Sequence, residues 1–388
     1  MTDLLSSPAV APGAALPEPI RARVEAALSA VYSGEVRVES VHPISQRASV
    51  SLRAGLSGPG PASVFVKHVP VATWPATDLA GEHVEFAHEL LAQRFLEECP
   101  PPRPFRPRLL AWEADGFFVL EDLGDVQHAE MRTFGWVTRR LARALAAQHT
   151  ATRGREARWL ELRREMGLGG PEADRRRYGG PAQAWRFDEG RAFLARAARS
   201  RGVPPPDDGE LDEARALVTA CEGPLRAFLH EDLGNARQTF EVGDELFLLD
   251  YEYARWGPAP LDLCKAMLGK FELSLDDGVY LWSVPGFEPD LAAEYRAALA
   301  ESGGPVVDDS TWDRSVALAL AFHAVTLAGR LAHLEPDRRL VGTVPQNVNG
   351  ILLRLHQLLP SGVLPGLAGF CERYLGNFDA APRVFPGR

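Results

Sequence analysis

An aspartate two residues behind a histidine, and a second aspartate closing an apolar run, are the residues of this chain best suited to chemistry. They fall in LHEDLGNARQTF (229–240) and LFLLDYEYARWG (246–257). The first stretch sets Asp232 in a short polar loop after His230. The second brings Asp250 to the tip of the buried strand that the apolar run predicts. Two carboxylates joined by a short hairpin suit phosphoryl transfer. One, Asp232, accepts the proton of a substrate hydroxyl, and the other, Asp250, holds Mg²⁺ on ATP. His230 is expected to hold the loop through hydrogen bonds.

Three further positions belong beside this pair. Lys67 interrupts the apolar strand SVFVKHV (63–69). Alternation places it with Phe65 and Val69 on one face, opposite Val64, Val66 and His68. It is either a solvated residue on an open face or a phosphate-binding lysine. The second reading requires a carboxylate on the following helix to orient the ammonium. Glu82 leads the apolar stripe of that helix and is the expected partner, with Glu85 as the alternative. The segment GFFVLEDLG (116–124) reads as an edge strand and turn, or as a hinge whose backbone, around Glu121 and Leu123, bonds adenine. His149, at the end of the helical stretch LARALAAQH, reads as a residue favouring the helix dipole. Asp262, twelve residues after Asp250, reads as an aspartate in the first turn of a helix.

These residues need a scaffold, and the periodicities supply one. Residues 18–33 have helical spacing. Residues 36–41, 48–52 and 63–67 alternate or run β-branched between Gly and Pro breaks, predicting three strands. Residues 81–98 return to helix and end at Pro100–Pro102. Strands are predicted at 108–112 and 116–120. Beyond about 133 the chain reads as mostly helical, with 135–149 as a clear helix and 187–201 as a basic helical segment between loops at 169–182 and 201–209. The 228–251 hairpin is the one strong β signal there. The resulting division is a loose leader over 1–17, an N-terminal nucleotide-binding lobe over 18–122, and a C-terminal catalytic and substrate lobe over 123–388. A helical insertion occupies about 155–205.

Bulk properties narrow the partners. The net charge is −10, which argues against a broad basic face for nucleic acid. The four cysteines, Cys99, Cys221, Cys264 and Cys371, form no CxxC pair and read as buried thiols in a reducing cytoplasm. The first residues lack a basic n-region and do not read as a signal peptide. No run of about twenty apolar residues is evident, so no membrane span is expected.

Together these motifs resemble the aminoglycoside phosphotransferase/choline kinase superfamily, over roughly residues 36–265. The resemblance implies an α+β, bilobal, protein-kinase-like fold. It has an antiparallel N-terminal sheet with one key helix and a mostly helical C-terminal lobe. It also implies ATP and Mg²⁺, with Asp232 as base, Asp250 on the metal, and Asp262 bracing the catalytic loop. In that family an asparagine five residues after the base is a second metal ligand. Here Arg237 stands at that position, flanked by Asn235 and Gln238, and Asn235 is the expected ligand. The nucleotide loop at 44–49 has no glycine, which makes close backbone approach harder, and Ser45, Arg47 and Ser49 are its candidate phosphate contacts, Ser45 and Ser49 the expected ones.

The function expected is transfer of the ATP γ-phosphate to the hydroxyl of a small molecule, an antibiotic, amino sugar or amino alcohol, by a monomer or homodimer. The alternative is a catalytically impaired, kinase-like binding protein. A protein kinase is disfavoured because the eleven residues between Asp250 and Asp262 leave no activation segment. Acidic residues after Asp262, with Trp256, Trp282 and Trp312, either line a pocket for a cationic acceptor or are solvated acids and core aromatics. Arg175–Arg177 reads as a solvated loop or a contact for an anionic substrate.

Overall fold

The computed structural model describes residues 16–376, apart from 47–48, 71–82, 101–104, 125–126, 129–133, 170–182, 220–222, 234–238, 243–244, 270, 274–279, 283–289 and 335–343. The chain opens with helix α1 (Glu18–Tyr32), which buries Ile20, Val24 and Leu28 at four-residue steps. It ends where Ser33 turns to a left-handed conformation, φ 54°. Strands β1 (Arg37–Gln46), β2 (Val50–Ser57), β3 (Ser63–His68), β4 (Leu109–Glu113) and β5 (Phe117–Glu121) form an antiparallel sheet in the order β1-β2-β3-β5-β4.

The sheet's two faces have different partners, and this decides where Lys67 points. Val64, Val66, Phe117 and Val119 join α1 in one core. Val69, Phe118 and Leu120 belong to a second core, against which Phe65 packs, together with helix α2 (Val84–Glu97). Phe86 of α2 lies 5.2 Å from Phe118, ring to ring. Lys67 is in register with Phe118, and so faces α2. The second core continues from α2 into the helical part of the chain, so the cleft side of the sheet is built on shared packing.

The connector after β5 is tied back to the sheet. Asp122 accepts hydrogen bonds from Ser63 Oγ (2.6 Å) and the Gly124 amide (3.0 Å), and pairs with Arg53 (3.0 Å). Helices α3 (Phe134–Thr152), α4 (Glu156–Glu165), α5 (Gln183–Ser200) and α6 (Asp208–Thr219) follow. After the central strands come α7 (Pro260–Leu268), α8 (Leu291–Glu301), α9 (Asp309–Leu334), α10 (Val344–Leu358) and α11 (Pro365–Leu375). The α+β architecture, with an antiparallel sheet first and helices after, is the one expected from the sequence.

Three expectations need correction. The two aspartates do not lie on one simple hairpin. The hairpin proper is β8 (Thr239–Val242) with β9 (Glu245–Leu248), extended by β6 (Gln127–His128). The strand before the histidine loop, β7 (Arg226–Leu229), pairs instead with β10 (Arg255–Pro258). A further pair, β11 (Phe271–Leu273) and β12 (Tyr280–Trp282), interrupts the helices after Pro260. Lastly, α9 is long and apolar enough to cross a membrane by length and composition. However, 78% of its apolar window is buried in the fold, so it serves as the central core helix against α5, α6, α7 and α10.

Candidate active site

Lys67 is 7% exposed and does not lie on an open face. Its ammonium bonds the carboxylate of Glu89 and lies 3.3 Å from Asp250 Oδ1. Burial opposes the lysine's charge, but Glu89, Asp250 and Glu252 outweigh it, and its pKa is raised. The expected partner on α2 is therefore corrected to Glu89. Glu82 lies outside the described residues, and Glu85 lies one helical turn before Glu89. α2 begins at Val84, and its docking against Phe118 turns the Glu89 face toward β3.

Asp250 follows β9 in a left-handed conformation, φ 68°, and a short 3₁₀ turn over Tyr251–Tyr253 presents Glu252 beside it. One oxygen each from Glu89, Asp250 and Glu252 lies within 4.8 Å of the others. Burial and the Asp250 charge push Glu252 up to about 8. Burial likewise raises Glu89 to about 6, against the pull of Lys67. A donor set of hard carboxylate oxygens crowded to this degree fits Mg²⁺ chemically. With Glu89 engaged by Lys67, Asp250 and Glu252 are the pair left to hold the ion.

The loop carrying Asp232 is fixed from behind. Asp262, in the first turn of α7 and fully buried, accepts the backbone amides of His230 and Glu231, each at 2.7 Å. Its Oδ2 is also 3.4 Å from His149 Nε2, whose Nδ1 meets the Tyr295 hydroxyl at 2.8 Å. Burial opposes the Asp262 charge, but His149 and the amide donors hold its pKa below the ordinary value. His149, the basic residue in the last turn of α3, thus also lies buried against Asp262. His230 Nε2 donates to Leu249 O (2.7 Å), and its Nδ1 accepts the Asp232 amide (3.2 Å). That pattern requires a neutral ring, and burial lowers the His230 pKa accordingly. One imidazole therefore links the Asp232 loop to the strand end before Asp250.

Glu231, between them, is left-handed at φ 64°. Its side chain pairs with Arg255 at 2.5 Å, and its carbonyl accepts from Lys265. Left-handed non-glycine residues at both Glu231 and Asp250 are backbone strain concentrated at a site. Tyr251 adds a second tie, donating to Gln148 Oε1 at 2.7 Å, while Gln148 donates to Phe228 O at 2.9 Å. Asp232 itself is 6% exposed.

The remaining expected residues divide. Asn235, Arg237 and Gln238 lie outside the described residues, as do Arg175–Arg177. Ser45 is in β1 opposite Ser51, and Ser49 lies at the turn leading into β2. Ser51 is in register with Lys67, so this turn borders the same end of the sheet. The Glu121 amide is donated to Arg108 O (2.9 Å) and its carboxylate meets Arg108 at 3.4 Å. That amide is thus not open to a base, and Leu123 is the half-buried residue beyond the strand end. The aromatic cage for a cation is not assembled from Trp256 and Trp312. Trp256 packs on Phe95 and Phe228, and Trp312 is 4% exposed and stacked on Tyr295. Three cysteines, Cys99, Cys264 and Cys371, are free and buried.

Sequence reasoning missed two residues. Glu252 had a signal, a second carboxylate two residues after Asp250. Glu89 had none beyond its place on an apolar helix.

No known protein family matches the chain, and no curated protein does. Solved structures do resemble it. A choline/ethanolamine kinase family protein from Mesorhizobium loti is 14% identical, TM-score 0.45, with 91% of this chain and 99% of that one covered. A choline kinase from Cryptosporidium parvum is 12% identical, TM-score 0.49, covering 86% and 93%. A putative aminoglycoside phosphotransferase from Ralstonia eutropha is 16% identical, TM-score 0.41, covering 87% and 94%. These neighbours are the group that the sequence motifs resemble. At such identities and TM-scores the likeness carries no argument about activity, which must rest on the chain's own geometry.

Proposed function

We propose that this protein is a Mg²⁺- and ATP-dependent phosphotransferase acting on the hydroxyl of a small molecule. The observation that carries the reading is the meeting of Lys67 with Glu89, 22 residues on, and with Asp250, 183 residues on. Beside it, the Asp232 loop is fixed by Asp262 and His230.

Lys67, oriented by Glu89, binds phosphate oxygens of the nucleotide. Bound Mg²⁺ supplies charge neutralisation on the transferring phosphoryl group, with Asp250 and Glu252 as its protein ligands. Asp232 orients the acceptor hydroxyl and takes its proton on a carboxylate oxygen. The acceptor oxygen bonds to the γ-phosphorus, the bond to the β–γ bridging oxygen breaks, and ADP leaves. Asp262 and His230 act by position, holding the Asp232 loop and the Asp250 strand end in fixed relation. Proximity and fixed charge provide most of the rate in such a site, with modest help from the base.

The similar solved structures are of choline, ethanolamine and aminoglycoside kinases, and this reading places the chain's activity in the same broad class. The test is ADP release from Mg-ATP over a panel of hydroxylated small molecules. Turnover that depends on the acceptor and disappears in Lys67→Met and Asp250→Asn supports the reading. Tight Mg-ATP binding with no turnover on any acceptor would favour a nucleotide-binding module instead.

A further inference from the structure

Glu231 stands between His230 and the proposed base, and every polar group it carries is held. Its amide donates to Asp262 Oδ1 at 2.7 Å. Its carbonyl accepts from Lys265, its Oε1 meets Arg255 at 2.5 Å, and its Oε2 lies 3.7 Å from Lys265. The carboxylate is 4% exposed, and the Arg255 and Lys265 side chains are 15% and 17% exposed. Two elements supply these partners. Lys265 follows Asp262 by three residues on α7, so one face of that helix grips the loop by its amides and by its carbonyl. Arg255 opens β10, in register with Leu229, the last residue of β7 before the loop.

These contacts impose an unfavourable backbone. At φ 64° Glu231 is left-handed, a conformation that penalises any residue with a Cβ and that glycine adopts freely. Such strain persists where the surroundings over-determine it. The consequence falls on the next residue. The Glu231 carbonyl and the Asp232 amide belong to one peptide plane. Lys265 holds one side of that plane, and His230 Nδ1 accepts from the other at 3.2 Å. The orientation of the plane sets the direction in which the Asp232 side chain leaves the loop. Both Glu231 carboxylate oxygens are engaged by cations of the fold, so the side chain serves the loop and not a ligand.

We infer that Glu231 is a positioning residue for Asp232. Its ion pairs with Arg255 and Lys265 hold the loop in the left-handed conformation that aims the base. The inference rests on the phosphotransferase reading, because that reading makes Asp232 the base.

The test uses the full chain as Glu231→Ala, Glu231→Gly and Glu231→Gln, each shown to be folded by urea unfolding. Alanine and glycine remove the same carboxylate and the same ion pairs, and they differ in the penalty for a positive φ. kcat should therefore be lower in Glu231→Ala than in Glu231→Gly by about 5- to 30-fold, the worth of the left-handed penalty, with KM for ATP the same in both. Glu231→Gln, which keeps the shape and a hydrogen bond to Arg255, should retain more activity than alanine. Arg255→Met should lower kcat in the wild-type background and add little in Glu231→Gly, where the carboxylate it pairs with is gone. Equal kcat in the alanine and glycine variants overturns the inference and keeps the phosphotransferase reading, as does an Arg255→Met loss of the same size in both backgrounds. A second measurement is independent of turnover. Hydrogen exchange of segment 229–233, read by mass spectrometry and corrected for intrinsic rates, should be faster in Glu231→Ala than in Glu231→Gly, and equal rates overturn the inference. Faster exchange in the alanine variant, without turnover of any acceptor by the wild type, would keep the left-handed clamp and sink the phosphotransferase reading.

Discussion

Replacing Asp262 by alanine should unfold the site from behind, and the structure gives the size of the effect. The Asp262 carboxylate is fully buried and accepts two backbone amides at 2.7 Å, from His230 and Glu231. A hydrogen bond to a charged group is worth about 1.5–3 kcal/mol, so the pair is worth about 3–6 kcal/mol. Alanine leaves both donors and the His149 ring facing a void. The expected loss is about 3–5 kcal/mol, as for breaking a buried charged pair. That is a large share of the roughly 5–15 kcal/mol by which folded proteins are stable. Asparagine keeps one oxygen and turns an NH₂ group toward the other amide, so Asp262→Asn should lose about half as much. Because the folded pKa of Asp262 is depressed, its contribution is present above the unfolded carboxyl value near 3.8 and is lost as pH falls through the folded pKa. The advantage of wild type over Asp262→Asn should therefore shrink in acid. Urea unfolding followed by tryptophan fluorescence at pH 7 and pH 3.5 measures both effects. A loss under about 1 kcal/mol in Asp262→Ala, smaller than one such bond, would refute the bracing role.

Three other outcomes are expected. Lys67→Met strands a buried Glu89 carboxylate and should cost about 3–5 kcal/mol in chemical denaturation, most of it recovered in the double variant Lys67→Met/Glu89→Gln, whose activity stays lost. Glu252, pushed up to about 8, is mostly protonated at pH 7, so Mg²⁺ binding should release close to one proton there and almost none by about pH 9.5. Calorimetry in buffers of different ionisation enthalpy reads this, and zero release at pH 7 contradicts it. Without the ion, ionising Glu252 should erode stability as pH rises from 4.5 toward 8, since its folded pKa is the raised one. Gly329→Ala should destabilise by about 1–3 kcal/mol or more, because its methyl group collides with the Arg186 backbone, and a thermal midpoint equal to wild type would argue against the close crossing of α9 and α5.

The parts of this site that follow local periodicity were legible in the sequence. Alternation in SVFVKHV placed Lys67 on the face with Phe65 and Val69, and that face meets α2. Apolar runs located all five strands of the first sheet. What depends on docking was not legible. Glu89 and Glu85 share an α2 face, and only the packing of α2 on Phe118 decides which one reaches Lys67. The pairing of β7 with β10 joins segments separated by the β8–β9 hairpin, and nothing local announces it. Asp262 and His149 act through backbone amides and a buried ring, contacts that leave no spacing signature. Trp256 and Trp312 joined the core because their neighbours are aromatic, not because of the acids near them in sequence.

The central claim is that Asp232 takes the proton of an acceptor hydroxyl while Lys67 and Asp250 manage the phosphates. Single-turnover transfer from γ-labelled ATP, in wild type and Asp232→Asn with Mg-ATP affinity measured alongside, tests it most directly. The account predicts labelled acceptor in wild type, with the Asp232→Asn rate lower by about 10²–10⁴-fold and nucleotide affinity retained. Label transfer at the wild-type rate in Asp232→Asn would contradict it.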